Sequence, residues 1–274
     1  MALIINTNVP SLLAQQNLET TSKLLLLNVQ RLSSGLRINS AADDAAGLAR
    51  ADQLKAQSRA IQAALRNSND GVSTLEIADK SSEKITELLV RMTELAASAA
   101  QGTLDDQTRG YYSDEYDALA SEIDRITATT EFGGTKLLDG AISSINIQIG
   151  FRDSSSDRLT IALANVTSTS LGIAAGDLAS QGSAQAAITL LDTALVKVND
   201  ARASFGAQTT RLNTTIANLS VTFTNFQAAE SRIRDADFAI ETAQFTKNQI
   251  LIQSGVSVLT QANTLPQSAL SLLT

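Results

Sequence analysis

The chain has 274 residues, a formal net charge of −7, 43% hydrophobic and 4% aromatic residues, and neither Cys nor His. The missing residue types remove disulfides, thiol nucleophiles, the usual zinc ligands and the side chain that most readily shuttles protons near neutral pH. The negative balance argues against nucleic acid, which calls for a basic stripe, so no enzyme, metal, cofactor or nucleic-acid reading is expected.

Two prolines, Pro10 and Pro266, lie near the chain ends, so the interior can be helical wherever glycine clusters permit. No Lys or Arg occurs from Met1 to Leu18, so the basic flank of a secretory signal peptide is missing. The apolar patches Leu24–Leu27 and Ile250–Leu259 are too short or interrupted to span a bilayer, and no membrane insertion is expected.

The first predicted helix runs from Asn8 to Leu32, with Leu18, Leu25 and Leu32 seven residues apart, and breaks at Ser33-Ser34-Gly35. Ser40 with Asp43 reads as an N-cap, and a second long helix follows. That helix carries Leu54, Ile61, Leu65, Val72, Leu75, Ile85, Leu89, Met92, Leu95 and Ala99, weakened at Asn67-Ser68-Asn69-Asp70-Gly71 and ended by Gly102. A third, Asp106 to Thr130, places Tyr112, Tyr116, Leu119, Ile123 and Ile126 on one face before Phe132-Gly133-Gly134.

Ile145, Ile147 and Ile149, then Leu159, Ile161 and Leu163, alternate with polar residues as a β-hairpin near 142–164. Thr167–Ser183 reads as a loop. From Ile188 to Ile233 a heptad seam follows through Ile188, Leu195, Phe205, Leu212, Leu219 and Phe226. Only Arg202, Thr209 and Glu230 interrupt it with polar groups. At ~1.5 Å per residue such a helix is roughly 70 Å long, so the chain is expected to be rod-like. The register fails at Arg234-Asp235-Ala236-Asp237 and restarts as Phe238, Phe245, Ile252 and Leu259.

Both ends thus carry an apolar helical segment set off by a polar break. The expected fold is mainly α, a long antiparallel helical bundle with a small β-hairpin and the terminal helices paired as an inner coiled coil. The expected domains are 1–39, 40–233 and 234–274, the last pairing with the first. Neither end segment can bury its seam on a single neighbour, so other copies of the chain are expected to cover it. Leu18, Leu25, Leu32, Phe238, Phe245, Ile252 and Leu259 form this candidate polymerisation seam.

Carboxylates at Asp43, Asp44, Asp235 and Asp237 read as helix-start and joint residues. The Arg152–Asp157 run lacks the EF-hand's ligand spacing and glycine, and reads as a hairpin loop.

The segment RLSSGLRINSAADDAAGLA at Arg31–Ala49 resembles bacterial flagellin. The resemblance continues through RNSNDG at Arg66–Gly71, LVRMTEL at Leu89–Leu95, SEIDRI at Ser121–Ile126 and FGGTKLLDG at Phe132–Gly140. It resumes with SRIRDADFAIE at Ser231–Glu241, QIL at Gln249–Leu251 and QANTLPQSALSLL at Gln261–Leu273, while INTN at Ile5–Asn8 and AQQNL at Ala14–Leu18 complete it.

The resemblance implies a subunit that polymerises into the flagellar filament of the swimming cell, with no cofactor. It also implies terminal helices that line the filament core, beneath a helical bundle with a hairpin. Outer domains found in most relatives are missing between the halves. The implied partners are other copies, the flagellar cap and hook-associated proteins, and an export chaperone at the C-terminal segment. The implied location is the extracellular filament, reached through the flagellar export apparatus. Arg91, Leu95 and Glu122 match a face read by the vertebrate Toll-like flagellin receptor. Val90 stands where the family carries Gln, and Phe132-Gly133-Gly134 replaces its F-N-G. The alternative reading is a hook–filament junction protein, which resembles flagellin at both ends.

Overall fold

The structure is a computed structural model that describes residues 7–174 and 177–271. Ile5 and Asn6 of the first motif, Ala175 and Gly176 of the expected loop, and Leu272 and Leu273 of the last motif lie outside the described residues. The chain forms two compact units, Met1–Gln57 with Asn225–Thr274, and Ser58–Thr224. The division falls inside two long helices, Ala45–Ala99 and Gln181–Arg234.

In the first unit, α1 (Val9–Ser34) starts with Asn8, whose side chain accepts the Ser11 N–H, and a proline in its first turn. It stops at Gly35, whose φ of 72° is the left-handed conformation that glycine adopts without a Cβ penalty. α2 (Ala45–Ala99) begins five residues beyond the expected cap. Asp43 Oδ2 instead closes a turn by accepting the Ser40 N–H (2.8 Å) and Oγ–H (3.0 Å) and the Asn39 N–H (3.1 Å). These bonds, led by those from the Ser40 and Asn39 backbones, hold its carboxyl below the usual carboxylate range. Asp44 performs the capping, accepting the Gly47 N–H at 2.8 Å. α6 (Phe238–Ser271) is started the same way by Asp237, which accepts from Ala239 (2.9 Å) and Ile240 (3.3 Å).

In the second unit the core lies between α2, α3 (Asp106–Thr129) and α5 (Gln181–Arg234). On α5 the buried residues are Ala184, Ala187, Leu191, Ala194, Val198, Ala201, Phe205, Gln208 and Leu212, an unbroken three/four alternation. Ile188 and Leu195, expected on this seam, sit one position aside and are half-buried. Leu219 and Phe226 follow past the last buried residue and are half-buried too. The facing stripe of α2 includes Ile61, Ala64, Ser68, Gly71, Leu75, Ala78, Ser82, Ile85, Leu89, Met92, Ala96 and Ala99.

The polar cluster at Asn67–Gly71 therefore does not weaken α2. Ser68 Oγ donates to the Ala64 carbonyl at 2.8 Å, and Gly71 makes room for the sheet. That sheet pairs β3 (Ser144–Gln148) with β4 (Arg158–Ala162), antiparallel, with Ile145 opposite Ile161 and Ile147 opposite Leu159. Its loop is closed by Asp157, which accepts the Arg152 N–H at 3.1 Å, and Asp153 pairs with Arg158.

Two small elements go beyond the sequence expectations. β1 (Glu131–Phe132) and β2 (Thr135–Lys136) flank Gly133 and Gly134, whose φ values of 57° and 81° suit a two-residue hairpin turn. The segment read as a loop contains α4 (Ser168–Leu171), seated by Asp124, which accepts both Ser168 N–H (2.8 Å) and Oγ–H (2.7 Å). Val166, Leu171, Ile173 and Leu178 around it are buried core residues.

Candidate functional site

The heptads of the chain ends meet in one helix pair. Ser11, Ala14, Leu18, Thr21, Leu25, Asn28 and Leu32 form the more buried stripe of α1. Glu241, Phe245, Asn248, Ile252, Gly255, Leu259 and Ala262 form that of α6. Both stripes keep strict three/four spacing, and α1 and α6 pack together antiparallel along them. Gly255 lets the helices approach, since a β-carbon there would stand 2.7 Å from Leu18 Cδ2.

A short antiparallel bridge ties the pair at one end. Leu36 faces Asp235, with Arg37 N–H donating to the Arg234 carbonyl (2.7 Å) and Ala236 N–H to the Gly35 carbonyl (3.0 Å). At the other end Asn8 Nδ2 donates to the Ala262 carbonyl at 2.9 Å.

Polar groups occupy the part of the seam next to the Leu36–Asp235 bridge. Asn28 Nδ2 donates to Glu241 Oε2 at 2.6 Å, and Asn248 Nδ2 donates to Asn28 Oδ1 at 2.8 Å. Arg31 Nη1 completes the cluster on Glu241 Oε1 at 3.1 Å. Asn28, Glu241 and Asn248 are all buried.

Six of the seven predicted seam residues, Leu18, Leu25, Leu32, Phe245, Ile252 and Leu259, are therefore half-buried inside the chain's own helix pair. Phe238 stays 56% exposed. A second apolar set points outward and was not singled out by periodicity. It comprises Val9, Leu12, Leu13, Leu24, Leu26 and Val29 on α1 with Ile240, Ile250, Leu251, Val256 and Val258 on α6. The signal for it was in plain view: four consecutive leucines, Leu24–Leu27, cannot share one helix face. Burying each such side chain is worth about 1.5–3 kcal/mol, so an exposed set of this size marks a contact surface.

The second unit carries the other candidate residues. Arg91 is exposed and paired with Glu115 (2.8 Å) and Glu94 (3.0 Å), which raise its already high pKa, Glu115 first. Glu122 is held by Arg125 at 2.6 Å, which lowers its carboxyl. Leu95, expected on the same exposed face, is only 2% exposed. It belongs to the buried stripe of α2, so the three residues do not form one surface. Among the described residues no group of three or more His, Cys, Asp or Glu gathers as a metal site, and no helix is long and apolar enough to cross a membrane.

Comparisons with known proteins identify the family. The bacterial flagellin N-terminal helical region matches residues 5–143, and the bacterial flagellin C-terminal helical region matches residues 188–273. A flagellin of Halalkalibacterium halodurans is 39% identical over 271 residues, covering 99% of this chain and 100% of the relative. The crystal structure of Bacillus cereus flagellin is similar with a TM-score of 0.51 at 36% identity, over 60% of this chain and 94% of that one. The structure of a putative flagellar hook-associated protein from Vibrio parahaemolyticus gives a TM-score of 0.59 at 14% identity, over 70% of this chain and 100% of that one. This last likeness is one of fold alone.

Proposed function

The chain belongs to the bacterial flagellin family, and we propose that its α1–α6 pair is the part that packs against other copies. It is a short-form structural subunit of the flagellar filament, not an enzyme, and it self-assembles into that extracellular helical polymer, which serves motility. The hook–filament junction reading is less supported, because the hook-associated likeness is at 14% identity.

The outward apolar residues of α1 and α6 carry the proposal. They lie off the seam that joins the two helices, so a free subunit leaves them in water. On this reading the pair, 1–39 with 234–274, is an inner polymerisation unit and 40–233 is an outer bundle. The pair is disordered in the free subunit and orders as copies cover it. The same exposed residues explain why an export chaperone would cover the C-terminal segment before passage through the flagellar export apparatus, and why cap and hook-associated proteins would bind the growing end. Arg91 and Glu122 would be the exposed part of a face for the vertebrate Toll-like flagellin receptor, with Leu95 supporting the helix from beneath.

Electron microscopy of purified protein tests the proposal. Full-length chains form long filaments by themselves, whereas chains lacking 238–274 do not. Normal filaments from that deletion would overturn it.

A further inference from the structure

The α1 and α6 seams share one period along their whole length. Sliding α6 by one heptad therefore keeps stripe facing stripe, and the period alone does not choose between the registers. A parallel pairing of α6 with α6 of a second copy is likewise open to a seam of this kind. Two features in the structure break the degeneracy, and they select the same register.

The first is polar. Asn28 is used on both sides of its amide, donating to Glu241 (2.6 Å) and accepting from Asn248 (2.8 Å), while Arg31 holds the other Glu241 oxygen (3.1 Å). A one-heptad slip moves Glu241 and Asn248 about 10 Å along the axis, so Asn28, Arg31, Glu241 and Asn248 no longer meet as one cluster. A parallel α6–α6 pair sets Glu241 against Glu241. The second is steric. Leu18 lies in the gap that Gly255 leaves, where a β-carbon would come within 2.7 Å of it.

We propose that Asn28, Arg31, Glu241 and Asn248 are specificity-determining residues for assembly. They make α1 pair with α6 of its own chain, in a single register, ahead of slipped pairs and of pairs between like helices. The cluster is a discriminator first: an all-apolar seam would bury as much surface and hold the pair as firmly, but not in one place.

The chain has no cysteine, so introduced pairs report the register cleanly. Ala14→Cys with Leu259→Cys lies one step along both seams from the Leu18–Gly255 contact and reports the native register. Thr21→Cys with Leu259→Cys, and Ala14→Cys with Ile252→Cys, report slips of one heptad in the two directions, since a disulfide tolerates only about 7 Å between Cα atoms. Assembled filaments of full-length chain are oxidised and the intrachain product is read on a denaturing gel. With the cluster intact only the native pair should close. With Asn28→Leu, Glu241→Leu and Asn248→Leu together, a slipped pair should close at least tenfold more than before. If the triple variant closes neither pair, Asn28→Leu with Asn248→Leu, which keeps Arg31 on Glu241, is read in the same way. Slipped product in either variant supports the proposal. Its absence from both overturns it.

Discussion

Gly71 of α2 stands directly beneath Ile147 of β3: a β-carbon on the glycine would be 2.3 Å from Ile147 Cδ1 and 3.2 Å from Leu212 Cδ1. Helix propensity alone favours alanine here by about 1 kcal/mol. Packing should win, because the clash is with a half-buried side chain that packs against the core. Gly71→Ala is expected to lower stability by about 1–3 kcal/mol. Adding Ile147→Val, which removes the obstructing methyl, should recover part of that loss. A thermal double-mutant cycle measures the coupling, and additive effects would refute the contact.

Gln208 clamps the end of β4 to α5. Its Oε1 accepts the Ala162 N–H at 2.7 Å and its Nε2 donates to the Ala162 carbonyl at 3.2 Å. Gln208→Leu keeps the volume but strands both backbone groups, so a loss of about 1–3 kcal/mol is expected. Hydrogen exchange localises it: the amide of Ala162 should lose protection while those in the middle of α2 keep theirs.

Tyr116 makes the second unit sensitive to alkali. Its buried hydroxyl donates to the Ile173 carbonyl at 3.2 Å, and burial, helped by the Asp117 charge, pushes its pKa up to about 12. An unfolded tyrosine ionises near ~10, so the folded state favours the protonated form. The contribution is therefore complete below pH ~10 and lost as pH rises toward about 12, a change on the order of 2 kcal/mol. Tyr116→Phe should be less stable at neutral pH by about 1 kcal/mol and lose this alkaline slope. Denaturant titrations at several pH values check both.

Leu26 of α1 and Ile250 of α6 are 66% and 59% exposed, off the stripe that joins the two helices. Leu26→Gln with Ile250→Gln should leave the melting of the second unit unchanged and abolish filament formation, seen by sedimentation and microscopy. Leu18→Gln, by contrast, acts inside the pair, against Gly255. It should lower the helicity of assembled filaments as well as their number.

Much of this fold was legible in the sequence because helices and strands announce themselves by period. The breaks at Gly35 and at Arg234–Asp237, the three long inner segments and the Ile145–Leu163 hairpin all follow from spacing and turn residues. The flagellin motifs supplied the family. Periodicity is less informative about which of two neighbouring stripes faces inward. Large aliphatic residues such as Ile188 and Leu195 drew attention to one stripe of α5, while the alanines at 184, 187, 194 and 201 line the other.

Small residues look neutral in a sequence, and only close approach of a second element makes them a seam. Gly71, Ser68 and Ser82 on α2 acquire meaning because other elements pack onto them, and Leu95 proves buried for the same reason. The terminal helices repeat the lesson. The sequence by itself determined that both ends carry heptads. The tertiary structure decided that those heptads face each other, that other leucines face outward, and that Asn28 meets Glu241. A hydrogen bond between residues more than two hundred positions apart exists only once the intervening chain has folded back, so no local pattern can encode it.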